Sequence, residues 1–167
     1  MDDAAWQGDN RPEYPCLRPC IGWREWLALP ELGIPAIKVK VDTGARTSAL
    51  HAYFVETFRR DHANWVRFTV HPLRRRGDLV VTCAARLLDQ RVVRDSGGHP
   101  ERRYVIETPL RLGDLEWRAE LTLTARDRML FRMLLGRTAL SDRFLVDPHA
   151  SYLASTRPAL AALYPRR

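Results

Sequence analysis

The sequence of 167 residues is long enough for one domain with a core of its own, and five tryptophans are available to fill it. No apolar run approaches the length of a membrane span, and the acidic start, Met1 to Asp3, lacks the basic and apolar regions of a signal peptide. These features argue against membrane and exported proteins, and we expect a cytoplasmic one.

The net charge is +7, and almost all of the positive charge is arginine, since Lys38 and Lys40 are the only lysines. The one dense cluster, Arg74–Arg76, falls in a predicted hairpin turn. Basic surface alone gives only salt-sensitive attraction, so this composition argues against specific nucleic-acid binding. An acidic peptide would use the same charge equally well.

Three cysteines, Cys16, Cys20 and Cys83, make structural disulfides improbable in a chain without an export signal. Cys16 and Cys20 have no second pair and no histidine at zinc-finger spacing, which argues against a structural zinc site. Cys83 lies in an apolar run and is interpreted as a small core residue.

Proline, glycine and periodicity divide the chain into three parts. Residues 1–19 have no usable period and are predicted to form a flexible N-terminal arm; residues 20–155 form one domain, and residues 156–167 a C-terminal tail. At the start of the domain, two short strands are expected to meet around Pro30 and Gly33.

Short strands continue through the domain, several of them alternating apolar with other residues. Helical periodicity is scarce, with candidates only at 138–143 and 158–163. Many short strands at this spacing predict a β-barrel or β-sandwich. The predicted strand segments after Asp42 are 65–70, 79–83, 91–94, 103–106, 110–112, 116–123, 134–136 and 144–146.

The segment Val39–Leu50 carries the strongest chemical signal. A short alternating strand runs directly into Asp42, Thr43 and Gly44, which places one carboxylate at a tight turn at the end of a strand. An ordinary β-turn would use the same residue types. The second signal is Met133–Leu140, in which an apolar run closes with Gly136 and Arg137.

Asp-Thr-Gly-Ala followed by hydrophobic residues, glycine and arginine resembles the retropepsin-like aspartic peptidases, and more closely the bacterial family named "ATP-dependent zinc protease". The resemblance implies an all-β fold, a closed retropepsin-like barrel with a short helix after Leu-Leu-Gly-Arg. It covers roughly residues 20 to 155, and the matching stretches are 21–26, 40–50, 96–99, 103–106, 121–124, 133–140 and 144–148.

The resemblance also implies a catalytic mechanism. An aspartic peptidase needs two carboxylates that share a proton. This chain has one Asp-Thr-Gly, and neither Asp142 nor Asp147 is followed by Thr/Ser-Gly, so the retropepsin solution is a homodimer in which each protomer contributes Asp42. Thr43 would brace the two loops. A monomer would lack the pair, which leaves open a non-catalytic peptide-binding module or a metal-assisted hydrolase at the same site.

Further site residues follow from the same resemblance. Gly97 and Gly98 fall in chain order at the position of a flap over bound peptide, although an exposed turn would use the same glycines. His99 is either a substrate contact or solvated. Gly136 and Arg137 are expected to support the catalytic loop, and Arg46 either pairs with a substrate carboxylate or acts on Asp42 as a nearby cation.

The sequence contains no motif for binding the zinc or the ATP in the family's name. There is no His-Glu-x-x-His helix and no phosphate-binding Gly-Lys-Ser/Thr loop, and the five histidines are scattered, so we predict no cofactor. A metal site assembled from His51, His99 and Asp42 is the remaining alternative. The resemblance implies functional association with an ATP-grasp ligase, and the expected substrate is a peptide or protein.

Overall fold

The structure is a computed structural model, and it describes residues 18–94, 97–125 and 130–166. Most of the predicted N-terminal arm, with Cys16, lies outside the described residues, as does Ser96 at the predicted flap. The strands are β1 (Cys20–Gly22), β2 (Arg24–Leu29), β3 (Ile34–Val41), β4 (Ser48–His51), β5 (Tyr53–Arg60), β6 (Ala63–Val70), β7 (Val81–Arg94), β8 (Pro100–Leu112), β9 (Leu115–Thr124), β10 (Met133–Leu135) and β11 (Leu145–Asp147). Two short helices are α1 (Arg137–Leu140) and α2 (Leu160–Leu163), and a single 3-10 turn spans Pro30–Leu32.

Six strands close into a barrel. Their order is β2, β3, β10, β4, β9 and β8, and Ala28 of β2 pairs with Arg111 of β8 to complete the ring. The barrel encloses large apolar side chains, among them Leu27, Leu50 and Met133, which are almost fully buried. The prediction of an all-β, closed retropepsin-like barrel with a short helix after Leu-Leu-Gly-Arg is therefore confirmed.

The position of β10 determines which loops become neighbours. This strand lies between β3 and β4, parallel to β3 and antiparallel to β4. The chain therefore leaves β3, crosses over the end of β10 and returns as β4 on its other side. The loop after β3 and the loop after β10 consequently meet at the same end of the barrel.

A three-stranded sheet extends from one side of the barrel. It consists of β5, β6 and the first part of β7, where Trp65 to Val70 pair with Val81 to Arg86. From Leu87 onward, β7 pairs instead with β8 of the barrel. Thus one strand of 14 residues belongs to both parts of the molecule.

The C-terminal segment fastens to the barrel through buried polar groups. Glu25 is fully buried and accepts hydrogen bonds from the backbone N–H groups of Gly22, Leu153 and Ala154 at 2.7, 2.9 and 3.3 Å, and from the hydroxyl of Ser155. The Glu25 carboxylate thus accepts hydrogen bonds from N–H groups that main-chain carbonyls would otherwise have to accept.

Beyond α2, Tyr164 is buried against β3. Its hydroxyl donates to the carbonyl of Ala36 at 2.7 Å and accepts from the Ala36 N–H at 3.2 Å. Burial raises the pKa of Tyr164 to about 12. In the described residues, no helix is both long and apolar enough to cross a membrane.

Candidate functional site

Asp42 follows β3 directly and is half-buried at the end of the barrel. Its Oδ1 accepts hydrogen bonds from the N–H groups of Gly44 at 3.1 Å and Ala45 at 3.2 Å. No described residue donates to the other carboxylate oxygen, Oδ2. The turn therefore fixes the carboxylate by one oxygen and leaves the second available to a reactant.

The loop after β10 is hydrogen-bonded to the Asp42 loop. The Asp42 N–H donates to the Leu135 carbonyl at 2.9 Å, and the Arg137 N–H donates to the Ala45 carbonyl at 2.9 Å. Gly136 donates to the Ser48 hydroxyl at 3.0 Å. A Cβ added at Gly136 would lie 2.5 Å from the Thr47 carbonyl carbon, so only glycine allows the two loops to approach so closely.

The Arg137 side chain makes a further connection between these loops. Its Nη1 donates to the carbonyls of Thr43 and Gly44, each at 2.9 Å. The carbonyls belong to the Asp-Thr-Gly triplet itself. The structure therefore brings Asp42, Thr43 and Gly44 together with Gly136 and Arg137, which come more than ninety residues later in the chain.

An open cleft begins at this loop and continues under the β7–β8 hairpin. Its walls come from the Asp42 loop, the barrel strands β8 and β9, and the outer part of β7. The residues that line it are Gly44, Ala45, Arg46, Thr47, Ala49, Arg91, Val92, Val93, Arg94, Arg103, Glu107, Arg118, Ala119, Glu120, Leu134 and Thr138.

Two of the five arginines in the cleft are each neutralised by two carboxylates. Arg91 bonds Glu120 and Asp89, and these bonds raise the pKa of Arg91; the bond to Arg91 is the main reason that the pKa of Asp89 is lowered. In the same way, Glu107 and then Glu31 raise the pKa of Arg118. These four ion pairs shape the cleft wall without leaving a cation for a ligand.

The other three arginines are less fully compensated. Arg103 is nearly buried and pairs with Glu101 at 2.7 Å. Arg46 and Arg94 are exposed, and in the described ranges neither guanidinium has a carboxylate within 4.0 Å. Arg94 donates to the Gly98 carbonyl at 3.2 Å. The cleft thus presents positive charge beside the Asp42 loop.

The tip of the β7–β8 hairpin lies apart from the cleft lining. Gly97, Gly98 and His99 are exposed, and Gly98 has a φ of 81°, a conformation that favours glycine. The part of the hairpin that lines the cleft is the strand Arg91–Arg94. Contact between the tip and substrate stays a prediction.

The alternative metal site does not form in this arrangement. No group of three or more His, Cys, Asp or Glu close enough to hold a metal exists within residues 18–94, 97–125 and 130–166. His51 is fully buried in β4, where its ring packs edge-on against Tyr53 at 4.4 Å. His51, His99 and Asp42 therefore do not compose a ligand set.

Sequence reasoning missed the arginines of the cleft other than Arg46. The segments containing Arg91, Arg94 and Arg103 were predicted as strands of one hairpin, and the register pairs Arg91 with Arg103. The presence of arginines on both strands of this hairpin was the sequence feature that could have indicated an arginine-lined site. What the sequence did not reveal was that this hairpin and the Asp42 loop line the same cleft.

Comparison with known proteins agrees with this geometry. The family model for the retropepsin-like aspartic endopeptidase RimB matches residues 20–157. The chain is 53% identical over 128 residues to a probable alpha-L-glutamate ligase of Desulfotalea psychrophila, covering 77% of this chain and 28% of that protein. It is 47% identical to a probable alpha-L-glutamate ligase of Shewanella pealeana, covering 79% and 29%. The chain thus spans less than a third of the length of these curated relatives.

A solved structure is also similar. The crystal structure of a Legionella pneumophila protein of unknown function superposes with a TM-score of 0.69 at 25% sequence identity, covering 82% of this chain and 98% of that one. The family match spans the whole barrel, from β1 past β11. The chain therefore belongs to the RimB-like family of retropepsin-like aspartic endopeptidases.

Proposed function

We propose that the chain is an aspartic-type peptidase that works as a homodimer and hydrolyses peptide or isopeptide bonds in acidic or modified peptides. The observation that carries the proposal is the Asp42 carboxylate. One of its oxygens is held by two backbone N–H groups and the other is available, at the mouth of an arginine-rich cleft.

The chemistry follows from two such carboxylates sharing one proton. The ionised carboxylate takes a proton from a water molecule as the water oxygen attacks the carbonyl carbon, and the protonated one donates to the carbonyl oxygen. The C–N bond then breaks and the amine leaves with a proton. The bonds from Gly44 and Ala45 orient each carboxylate throughout. The reaction needs no cofactor.

Two copies are needed because the chain offers one such carboxylate. Asp147 is the last residue of β11, and its Oδ1 already accepts from the N–H groups of His149 and Ala150. Asp142 pairs with Arg18 at the surface. Thr43 is exposed beside Asp42, where it can brace the loop of a second protomer.

The charge of the cleft supports an acidic substrate. Arg46 and Arg94 are exposed in the lining of this cleft, and a guanidinium recognises a carboxylate through two parallel hydrogen bonds. Relatives named as probable alpha-L-glutamate ligases point to glutamate as the acidic residue. We extend the proposal to a functional association with an ATP-grasp ligase that attaches such residues, in the cytoplasm.

Peptide cleavage with matched substrates tests the proposal. Wild type and Asp42→Asn would be incubated with peptides that carry a run of glutamates or, as the control, of glutamines, and the products identified by mass spectrometry. We expect cleavage of the glutamate peptide, and a loss of several orders of magnitude in kcat/KM for Asp42→Asn with the fold retained.

Three outcomes separate the alternatives. Binding of the glutamate peptide without cleavage by wild type would identify a non-catalytic peptide-binding module. Cleavage abolished by a chelator and restored by a divalent metal would identify a metal-assisted hydrolase. Full activity at concentrations where sedimentation shows only monomer would overturn the homodimer.

A further inference from the structure

The positive charge of the protein is concentrated in the three-stranded sheet. From Tyr53 to Arg86 the sequence contains seven arginines and three carboxylates, so this fifth of the chain supplies four of the seven net charges. The excess is therefore local. It is also separate from the cleft, since none of these residues lines it.

The two faces of this sheet differ in composition. The inner face packs Val66, Phe68, Val70, Cys83 and Ala85 into the core, where all five are buried. The alternate residues form the outer face, and the register places Phe58, Trp65 and Arg86 side by side across β5, β6 and β7. The next row on that face consists of Glu56, Arg67 and Ala84.

Two neighbouring aromatic rings lie between two guanidinium groups on the outer face. Arg60 lies 5.1 Å from the ring centroid of Trp65, the Trp65 and Phe58 rings are 6.4 Å apart, and Arg67 lies 5.1 Å from the centroid of Phe58. We call Arg60, Trp65, Phe58 and Arg67 the cation–aromatic ladder. Among the residues that the structure describes, no carboxylate lies within 4.0 Å of the Arg67 or Arg86 guanidinium.

The geometry points to the outer face of this sheet, along the cation–aromatic ladder, as a binding surface for single-stranded nucleic acid without sequence specificity. Arginines on the face neutralise phosphates, and the rings of Trp65 and Phe58 offer flat surfaces for bases. The inference is independent of the proposed peptidase activity, because it uses none of the residues of the cleft.

Two features favour a single strand over other occupants. A duplex is read by a helix or ribbon that projects into a groove, whereas this face is an open sheet of three strands. A protein partner would require a desolvated apolar centre, whereas Trp65 and Phe58 lie between charged arginines that remain exposed. A guanidinium group lies over each ring at 5.1 Å from its centroid, so each ring accepts a cationic partner.

Fluorescence anisotropy with a labelled 12-mer of oligouridine tests the surface on the full chain. We expect a Kd of about 1–100 µM at physiological salt, and tighter binding as the salt concentration is lowered. Trp65→Leu and Phe58→Leu, which keep an apolar side chain and remove the ring, should each weaken binding roughly tenfold. Arg67→Gln and Arg86→Gln should each reduce the slope of log Kd against log salt by about 0.7.

Matched controls separate the ladder from general charge and exposure. Phe54→Leu removes an aromatic side chain that is 85% exposed on the same strand but is not part of the ladder, and Arg143→Gln removes an exposed arginine elsewhere; neither should change the affinity. Circular dichroism would verify that each variant is folded. Asp42→Asn should bind oligouridine like wild type, whatever its peptidase activity.

Several results would overturn the inference. One is oligouridine binding that Trp65→Leu and Arg67→Gln leave unchanged. Another is equal affinity for heparin or duplex DNA, because charge alone would then suffice. Trp65-dependent binding of polyglutamate at equal affinity would identify a peptide surface. A change of oligomeric state in the ladder variants would identify a contact between copies of the chain.

Discussion

The barrel and the three-stranded sheet beside it are built from similar strands, but different parts of them remain open to ligands. The barrel closes on itself and buries polar groups such as Glu25 and Ser48, so its chemistry is confined to loops at one end. The sheet packs one face and leaves the other exposed, and its charges lie along the strands. A closed barrel therefore offers a small site at one end, whereas an open sheet offers an extended surface.

The contacts that hold the loops also differ between the barrel and the three-stranded sheet. In the barrel, Gly136 touches the Thr47 backbone, and Arg137 bonds two carbonyls of the Asp-Thr-Gly triplet. In the β6–β7 turn, the Arg76 side chain bonds the exposed Asp78, and nothing lies within 4 Å of a Cβ built on Gly77. We therefore expect substitutions in the barrel to cost far more than matched ones in the sheet.

The largest effect should come from Glu25→Ala. The substitution leaves three backbone N–H groups and the Ser155 hydroxyl without their acceptor and opens a cavity, so the free energy of unfolding should fall by about 4 kcal/mol. Urea unfolding measures this. The matched change in the sheet is Glu56→Ala, at an exposed position, and a loss of similar size there would remove the contrast.

Two glycine substitutions compare the regions directly. Gly136→Ala forces the Thr47 backbone to move, and we expect a loss of about 3 kcal/mol together with loss of activity. Gly77→Ala meets no neighbour, so its stability should change by less than about 1 kcal/mol. Thermal unfolding of the Gly136→Ala and Gly77→Ala variants measures both losses of stability. Equal losses would show that the close approach of Gly136 to the Thr47 backbone does not matter for stability.

Tyr164→Phe tests the C-terminal closure of the barrel and its pH dependence. Removing the hydroxyl leaves the buried N–H and carbonyl of Ala36 unpaired, which should cost about 2 kcal/mol near neutral pH. Burial raises the pKa of Tyr164 from 10.0 to about 12, so the folded state holds the phenolic proton more tightly than the unfolded chain does. The stabilisation is complete below pH 10 and is lost as pH rises toward 12.

Urea unfolding at pH 8 and pH 11 provides the measurement for Tyr164. The difference between wild type and Tyr164→Phe should shrink at the higher pH, because only wild type has a titrating phenol at position 164. A constant difference would show that the hydroxyl is not buried in solution.

The smallest effect should be that of Arg137→Ala. The side chain is exposed, so stability should hardly change, but the triplet loses two carbonyl contacts and kcat should fall about tenfold with KM nearly constant. Steady-state kinetics on the glutamate peptide checks this. Arg76→Ala, at the sheet's turn, is the control, and an equal loss of kcat in both variants would point to a general charge effect.

Much of the fold was predictable, because its signals are local. Alternation predicted the strand at Trp65, an apolar run predicted the strand around Val81, and the ordered motifs around Asp42 and Gly136 predicted the barrel. β5 was missed because an edge strand has one neighbour and needs few apolar residues, and because an irregularity after Tyr53 breaks its period. Such a strand is defined by its pairing with β6.

The site was only partly predictable for a similar reason. The triplet at Asp42 is a contiguous signal, whereas the burial of Glu25 arises only when residues 153–155 fold back onto β2. From the sequence, a glutamate between Arg24 and Trp26 looks like a surface residue. The arginine wall of the cleft likewise depends on how β7, β8 and β9 come together beside the Asp42 loop, a property of tertiary packing.

The continuity of β7 has a mechanical consequence. Since no linker separates the outer sheet from the strand that lines the cleft, the two cannot rotate about a hinge between them. A register irregularity between Leu87 and Asp89 marks where β7 passes from the sheet to the barrel. A displacement of the strand at Arg94 would therefore be transmitted along β7 to Arg86 in the outer sheet, with no linker to absorb it.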